Sequence, residues 1–243
     1  MQNSQSILEI ACSSVLSARL ALANGANRLE LCSALNMGGL TPSRPLLEAV
    51  LKEAGSTPIR VLIRCRGGGF EYAAEELDLM ASEIRNLADL PLDGFVVGAL
   101  RDGLPDPQAL RAFRLAAGQQ ALTFHRAFDD CLPQASKALR RLQDHGFDRI
   151  LTAGGPGKAI KYKPILQKLV EEAAAFDIKI IAGGGVRSYN LAELKELRGL
   201  VEFHSAATLK ASNDPRWPKD PIVDPEEVAR MRKVLEDYSA ANS

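Results

Sequence analysis

Cysteine is scarce in this chain of 243 residues, and no two cysteines have the spacing of a metal-binding or redox pair. The four are Cys12, Cys32, Cys65 and Cys131, and no CxxC motif occurs. So few cysteines cannot build the disulfide framework of a small secreted protein, and they are typical of reduced thiols. The sequence therefore predicts a cytoplasmic protein.

The chain also lacks net charge and long apolar runs. Its 30 Lys and Arg residues balance 30 Asp and Glu residues, so it has no basic excess that would attract nucleic acid or an anionic membrane. No run approaches the roughly 18 apolar residues of a membrane helix. Residues Met1–Ser6 are polar, without the apolar segment of a signal peptide. We therefore expect neither a nucleic-acid partner nor a membrane partner.

Short β-rich runs alternate with longer amphipathic runs along the whole chain. The predicted strands are Ile7–Ala11, Arg28–Leu31, Arg60–Ile63, Gly94–Val97, Ala121–Phe124, Arg149–Thr152, Lys179–Ala182 and Val201–Ser205. Strands that alternate with helices through short loops indicate βαβ units and a parallel sheet. Eight units of about 30 residues each are the number that closes a (β/α)8 barrel.

Amphipathic helices are predicted between these strands and after the last one. They are Ser14–Asn24, Leu46–Glu53, Ala74–Ala88, Pro107–Ala117, Gln134–His145, Ile165–Ala175, Asn190–Leu197 and Pro225–Tyr238. An open doubly wound sheet is the alternative, but it more often has a Gly-rich turn after its first strand, and Leu8–Ser13 contains no glycine. We predict one (β/α)8 TIM-barrel domain over residues 1–243, with an irregular loop over Ser212–Asp224.

Polar side chains occupy alternate positions near the strand ends. Because strand side chains alternate with period two and the outer face packs against helices, we expect these polar residues inside the barrel. They are Glu9, Glu30, Arg64, His125, Glu202 and His204. In one interpretation, Arg64 neutralises the glutamates and the network only fills the barrel. In the other, carboxylates and imidazoles supply acid–base chemistry, and the candidate catalytic residues are Glu9, Glu30, His125 and His204.

Two glycine-rich segments lie beside arginines at predicted strand ends. Gly183–Gly185 precedes Arg187, where barrels of this type often bind phosphate, and Gly67–Gly69 follows Arg66. Gly183–Gly185 is an anion site in one interpretation and a tight turn in the other, whereas Gly67–Gly69 is an anion clamp or a mobile lid. The candidate anion-binding residues are Arg64, Arg66, Gly184, Gly185 and Arg187.

Two cysteines end neighbouring predicted strands, and thiolates are the ligands that Cu(I) and Zn²⁺ select. Cys32 is expected on the inward face of the second strand, together with Glu30. Cys12 follows the first strand, whereas Cys131 is solitary. A lone cysteine at a strand end is more often a small buried apolar residue than a ligand.

Several blocks of the sequence resemble the CutC copper homeostasis family. They are Leu8–Cys12, Gly25–Cys32, Gly38–Ser43, Ile63–Gly68, Thr123–Asp129, Arg149–Thr152, Gly183–Arg187 and Glu202–Ala206. The resemblance covers residues 7 to 209. It implies a TIM barrel, a cytoplasmic location, a homo-oligomer and a role in copper tolerance through Cu(I) binding, and it implies no settled enzymatic activity.

The chain departs from the family pattern at two positions. Family members commonly have a cysteine, a proposed Cu(I) ligand, where this chain has Ala11, and the cysteine comes one residue later as Cys12. One step along a strand turns the side chain to the opposite face. Cys65 replaces the proline that usually separates Arg64 and Arg66, so the candidate metal ligands are Cys32 with Cys12 or Cys65.

Two functions follow from these patterns. The first is Cu(I) binding by thiolates near the mouth of the barrel, with a copper ion as the partner. The alternative is an enzyme that acts on a small anionic or phosphorylated metabolite. The polar residues of the mouth exceed what one copper ion requires, and they favour the enzyme. A purely structural protein explains none of them.

Overall fold

Eight parallel strands close into a barrel in the computed structural model, which describes residues 6–209 and 221–241, with side chains as far as residue 237. The strands of the chain are β1 (Ile7–Cys12), β2 (Arg28–Leu31), β3 (Ile59–Leu62), β4 (Gly94–Val97), β5 (Leu100–Arg101), β6 (Leu104–Pro105), β7 (Ala121–Phe124), β8 (Arg149–Thr152), β9 (Lys179–Ala182) and β10 (Glu202–Ser205). The order around the wall is β1-β10-β9-β8-β7-β4-β3-β2. The predicted fold class is confirmed, and each predicted strand is present to within one residue at either end.

A helix or helical turn follows each barrel strand on the outside of the wall. The helices are α1 (Val15–Ala23), α2 (Arg44–Ala54), α3 (Ala74–Leu87), α4 (Pro107–Ala117), α5 (Ala135–Asp144), α6 (Lys163–Ala174), α7 (Ser188–Lys195) and α8 (Pro225–Ala241). Polar N-caps fix several starts: the side chain of Ser14 accepts from the Ser17 N–H, and that of Asp106 accepts from the Gln108 N–H. All eight predicted helices are present.

Some short elements did not appear in the sequence pattern. The strands β5 and β6 form an antiparallel hairpin, and 3-10 turns occupy Leu35–Met37, Arg126–Gln134 and Ala159–Tyr162. These elements are too short to show a hydrophobic period, so propensity alone did not separate them from loops. Two of the turns lie at the C-terminal mouth and contribute walls to the site.

The two faces of the wall carry different side chains. Leu8, Ile10 and Cys12 of β1 point outward and belong to the large apolar core between barrel and helices. On the inner face, Cys32, Leu62 and Val96 form a small separate apolar cluster. Charged side chains fill much of the remaining interior, as the period-two pattern predicted.

The C-terminal segment returns to the wall beside β1. Thr208 pairs with Val223 in an antiparallel bridge, and Asp224 caps α8 by accepting from the Glu226 N–H over 3.0 Å. Most of the loop predicted over Ser212–Asp224, residues 212–220, lies outside the described residues. Within the described ranges, no helix has the length and apolar character needed to cross a membrane.

Candidate functional site

An ion network fills the N-terminal half of the barrel. Arg28 is its central cation: Nε donates to Glu9 and Nη2 donates to Glu202 over 2.6 Å. Arg149 also donates to Glu202, over 3.0 Å, and pairs with Asp148. The interpretation that Arg64 neutralises the glutamates is therefore wrong. Arg28 and Arg149 do so, because their strand positions place them level with the carboxylates.

Above this network, Glu9, Glu30 and His204 form a compact cluster. One ligand-type atom from each lies within 4.8 Å of the others. Nδ1 of His204 is 2.8 Å from Oε1 of Glu9. The strand register explains the grouping, since Glu9 is level with His204 of β10 and the next inward residue, Ala11, is level with Glu30 of β2.

The charges of this cluster are set by burial and by its neighbours. Burial opposes ionisation of Glu9, but Arg28 and the hydrogen bond with His204 hold the pKa of Glu9 below its usual range. Burial likewise opposes protonation of His204, but the negative charges of Glu30 and Glu9 raise its pKa. Burial raises the pKa of Glu30 to about 7, with a further contribution from Glu9. The cluster therefore holds an ionised Glu9, an imidazole whose protonation is favoured by its acidic neighbours and a carboxyl that titrates near neutrality.

Glu30 is the member of this cluster without a hydrogen bond to any described residue. Its side chain is 6% exposed and lines a cavity at the C-terminal mouth. Glu9, by contrast, is saturated by Arg28 and His204 and does not line the cavity. The structure thus separates the two predicted catalytic carboxylates: Glu30 faces the cavity, and Glu9 orients His204.

His125 faces the same cavity with its protonation pattern fixed by the backbone. Nδ1 accepts the Ala127 N–H over 3.1 Å, so a neutral ring carries its proton on Nε2. Nε2 is buried and has no hydrogen-bond partner among the described residues. Burial, aided by the positive charge of Arg64, lowers the pKa of His125 to about 3. His125 is therefore a neutral hydrogen-bond donor at physiological pH.

Arg64 supplies a buried positive charge at the cavity wall. Its guanidinium donates to three carbonyl oxygens, of Met37 over 3.3 Å, Gly39 over 3.2 Å and Gly68 over 2.6 Å. It pairs with no carboxylate in the described part of the chain, and its Nε has no partner there. The residue is only 6% exposed, so bulk water contributes little to the solvation of this charge.

These residues surround a cavity of about 150 Å³. Its polar wall consists of Glu30, Arg64, His125, Arg126 and His204. Its remaining wall is Ala11, Cys32, Leu35, Gly38, Gly39, Leu62, Phe70, Leu151 and Ala206. Phe70 lies between two of the polar groups, with the Arg64 guanidinium 5.2 Å from its ring centre and the His125 ring 4.8 Å away.

The other predicted anion-binding residues lie outside this cavity. Arg66 forms a bidentate ion pair with Glu76 and stacks over the Tyr72 ring. Gly184, Gly185 and Arg187 do not line the cavity either, and at the start of α7 the side chain of Asn190 accepts from the Arg187 N–H over 2.9 Å.

A carboxylate of the chain also occupies the first amide of α7. Glu227 of α8 accepts from the Ser188 N–H over 2.7 Å and from the Ser188 hydroxyl. At the end of β8, Asp129 accepts in the same way from the Ala153 N–H over 3.0 Å. The Ser188 amide, three residues beyond the predicted Gly183–Gly185 anion site, is thus bonded to the protein's own carboxylate, and so is the Ala153 amide at the end of β8. Arg64 is the predicted anion ligand that lines the cavity. Arg126 also lines it, and its Nε donates to Asp129 over 2.9 Å.

The three candidate metal ligands are not brought together. Cys32 lines the cavity, whereas Cys12 points to the outer core and Cys65 packs against that same core. Burial raises the pKa of Cys12 to about 12 and also raises the pKa of Cys65. Cys12 and Cys32 therefore lie on opposite faces of the wall and do not face one cavity. Among the described residues, none of the clusters with at least three metal-ligand side chains contains a cysteine.

The fold and this site define a parallel (β/α)8 barrel with a small polar cavity at its C-terminal mouth. The CutC family model matches residues 6–209. The chain belongs to the CutC family, which confirms the resemblance that its motifs indicated.

Curated relatives match most of the chain. A human protein named copper homeostasis protein cutC homolog is 38% identical over 202 residues, covering 83% of this chain and 73% of its own length. A Klebsiella pneumoniae family protein CutC is 41% identical over 213 residues, covering 87% and 84%. The name of the human relative associates that protein with copper homeostasis.

Solved structures agree with the barrel. A crystal structure of a copper homeostasis protein CutC from Streptococcus agalactiae superimposes with a TM-score of 0.78 at 28% identity, covering 83% of this chain and 99% of that one. A thiamine phosphate pyrophosphorylase from Pyrococcus furiosus superimposes with a TM-score of 0.59 at 14% identity, covering 97% of each chain. The second likeness concerns the fold alone.

Proposed function

We propose that this protein is an enzyme that binds a small anionic metabolite in the mouth cavity. In this proposal Arg64 attracts the anion, His125 donates a hydrogen bond, and Glu30 with His204 moves a proton. Glu9 acts through His204 as a positioning residue. The observation that carries the proposal is the buried guanidinium of Arg64, which has no carboxylate partner in the described chain and shares one cavity with the Glu30 carboxyl.

Energetics support a ligand at this position. A buried charge without a counter-charge is unfavourable, and an anionic ligand that supplies the counter-charge gains correspondingly. The apolar walls formed by Leu62, Phe70 and Leu151 exclude water and strengthen every electrostatic contact made inside. The same features occur in catalytic pockets, where perturbed acids and bases meet a fixed positive charge.

Anion binding can be tested by thermal unfolding of the full-length protein at constant ionic strength. Acetate, pyruvate and inorganic phosphate serve as probes against chloride. We expect one of them to raise Tm in a saturable way in the wild type and in Arg66→Met, but not in Arg64→Met. Arg66→Met is the matched control because Arg66 pairs with Glu76 outside the cavity. The proposal is contradicted if the anion raises the Tm of Arg64→Met and Arg66→Met equally, or if it does not raise the Tm of the wild type.

Cu(I) binding centred on Cys32 is a second candidate. It is supported by the position of the Cys32 thiol on the cavity wall and by the names of the relatives. An anaerobic Cu(I) titration against a competing chelator tests it. If copper is the cargo, Cys32→Ser abolishes binding, while Cys12→Ser and Cys65→Ser leave it intact. Weak binding that is indifferent to Cys32→Ser contradicts this candidate. The four cysteines, none of them in a disulfide, support our proposal of a reducing, cytoplasmic compartment.

A further inference from the structure

We propose that the reaction of this site is removal of a proton from the carbon next to the carbonyl of a short-chain 2-oxo acid, giving an enolate. This inference rests on the proposed function and specifies its substrate class and chemical step. Three groups on one cavity wall carry it: a cation for the carboxylate, a neutral donor for the carbonyl oxygen and an unbonded carboxylate for the proton.

The donor for the carbonyl oxygen is His125. The Ala127 N–H occupies Nδ1, so Nε2–H is the ring's remaining polar group, and it has no partner in the described chain. A ring held neutral in this way binds a developing oxyanion without first losing a proton to it. Hydrogen-bond donors that are fixed before the reaction stabilise such oxyanions most effectively, because they need no reorganisation.

The base is Glu30. Its carboxylate has no hydrogen bond to a described residue, although it is nearly buried. The neighbouring Glu9 is occupied by Arg28 and His204, and it therefore has no free oxygen for a substrate proton. His204 lies beside Glu30, with one ligand-type atom of each residue within 4.8 Å of the other. This arrangement leaves one carboxylate free to accept a proton in a cavity with apolar walls.

Size and charge favour a carboxylate over a phosphate. A cavity of about 150 Å³ has the volume of about five liquid waters, which suits an acid of about three to five carbon atoms. One uncompensated guanidinium matches one negative charge. The glycine-rich segments Gly67–Gly69 and Gly183–Gly185, where a phosphate dianion was expected, do not line the cavity.

The step balances without any further reactant. The C–H bond next to the carbonyl breaks, and its proton passes to a carboxylate oxygen of Glu30. The electron pair forms a carbon–carbon double bond, and the carbonyl π pair moves to oxygen, which becomes the enolate oxyanion on Nε2–H of His125. Return of a proton to carbon restores the 2-oxo acid. In D2O the proton on Glu30 exchanges with solvent, so the returned atom is deuterium.

The experiment is a proton NMR assay of deuterium exchange in the full-length protein. Pyruvate and 2-oxobutanoate are the probes, and loss of the signal of the hydrogens next to the carbonyl is followed in D2O. We expect the wild type to exceed buffer by at least about 100-fold, as general base catalysis provides. Glu30→Gln should fall to the buffer rate, and His125→Phe should lose about 100-fold or more. Glu75→Gln, at an exposed position of α3, is the matched control and should keep the wild-type rate.

Binding is measured in parallel so that two failures remain distinguishable. Glyoxylate has no hydrogen on a carbon next to its carbonyl, so it reports binding without exchange. If glyoxylate and pyruvate raise Tm through Arg64 but the wild type does not accelerate exchange, the enolisation inference is overturned and the anion-binding function stands. If neither glyoxylate nor pyruvate binds, the anion-binding function and the enolisation inference are both contradicted. Exchange that persists in a folded Glu30→Gln variant assigns the base elsewhere and also overturns the inference.

Discussion

The backbone N–H of Ala127 donates to Nδ1 of His125 over 3.1 Å, and this bond decides which ring nitrogen carries the proton. Because an amide N–H can only donate, Nδ1 must be unprotonated. The free proton therefore sits on Nε2, in the cavity. The same bond makes His125 the N-cap of the 3-10 turn at Arg126–Gln134, so the fold and the chemistry of the mouth depend on one contact.

His125 should stay neutral across the physiological range. Its pKa is about 3, below the usual value of 6.5, so an unfolded chain binds more protons here between these two values. This group's contribution to stability is therefore full above pH 6.5 and is lost as the pH falls towards 3. ¹⁵N NMR of the ring should show Nε2–H and unprotonated Nδ1 from pH 5 to 8. An imidazolium spectrum at pH 6 would contradict the assignment.

Glu30→Gln should change the pH dependence of stability. The carboxyl has a pKa of about 7 in the folded protein against a usual 4.5, so it contributes stability at low pH that is lost as the pH rises through 7. When the pH is raised from 4.5 to 8, the free energy of unfolding of the variant should increase relative to that of the wild type by on the order of 1–3 kcal/mol. Urea unfolding at both pH values measures the difference. The pKa of His204 should fall in the same variant, because Glu30 raises it; Glu75→Gln should change neither quantity.

Arg28→Met should destabilise the barrel strongly. It leaves the buried Glu9 and Glu202 without their shared cation, and removal of one partner of a buried pair costs about 3–5 kcal/mol. Urea unfolding measures the loss. Arg19→Met removes an exposed ion pair with Glu53 and is the control, for which we expect little change. Equal effects of the two substitutions would show that the interior pairing is energetically unimportant.

Gly98→Ala should displace His125. A Cβ atom at position 98 would lie well inside van der Waals contact with the imidazole ring, so the ring must shift. We expect loss of anion binding and a change in the His125 NMR signals, together with a lower Tm. Gly69→Ala is the matched control because a Cβ there meets no atom within 4 Å. An unchanged His125 spectrum in Gly98→Ala would contradict this geometry.

Ala11→Cys should place a second thiol at the cavity and strengthen Cu(I) binding there. Ala11 lines the cavity together with Cys32, whereas Cys12 points through the other side of the wall. In a Cys12→Ala background the substitution keeps the number of thiols constant. It moves one thiol from the outer face of β1 to the inner face. We expect Cu(I) affinity to rise by about tenfold or more in the chelator competition, since two thiolates suit Cu(I). No gain would mean that the two inner positions do not converge on one ion.

The sequence predicted the barrel and much of its interior because both follow from periodicity. Strand–helix alternation specified eight units, and the period-two rule placed Glu30, His125 and His204 inside. The same rule could have found Arg28, which is two residues before Glu30 and shares its face. Arg28 was missed because an arginine at the start of a strand resembles a solvent-exposed end.

Positions beyond the strand ends were harder to predict. Arg64 and Arg66 share a strand-like spacing, but β3 ends at Leu62, and only Arg64 turns inward. The role of Arg66 depends on an ion pair with Glu76 of α3, and no local pattern contains that contact. The tautomer of His125 likewise depends on the backbone of a turn without a sequence period. Chemistry at the mouth thus combines the strand residues Glu30 and His204 with Arg64, which lies beyond the end of its strand.

Two ion pairs of the lower barrel connect strands that are not neighbours in the wall. Arg28 of β2 reaches Glu202 of β10 across β1, and Arg149 of β8 reaches the same carboxylate across β9. On the opposite side, Arg60 of β3 reaches Thr123 of β7 across β4. If one half of the barrel separated from the other, buried charges on both halves would lose their partners. The eight units should therefore unfold cooperatively, and a truncated fragment of the wall should not persist as a folded intermediate.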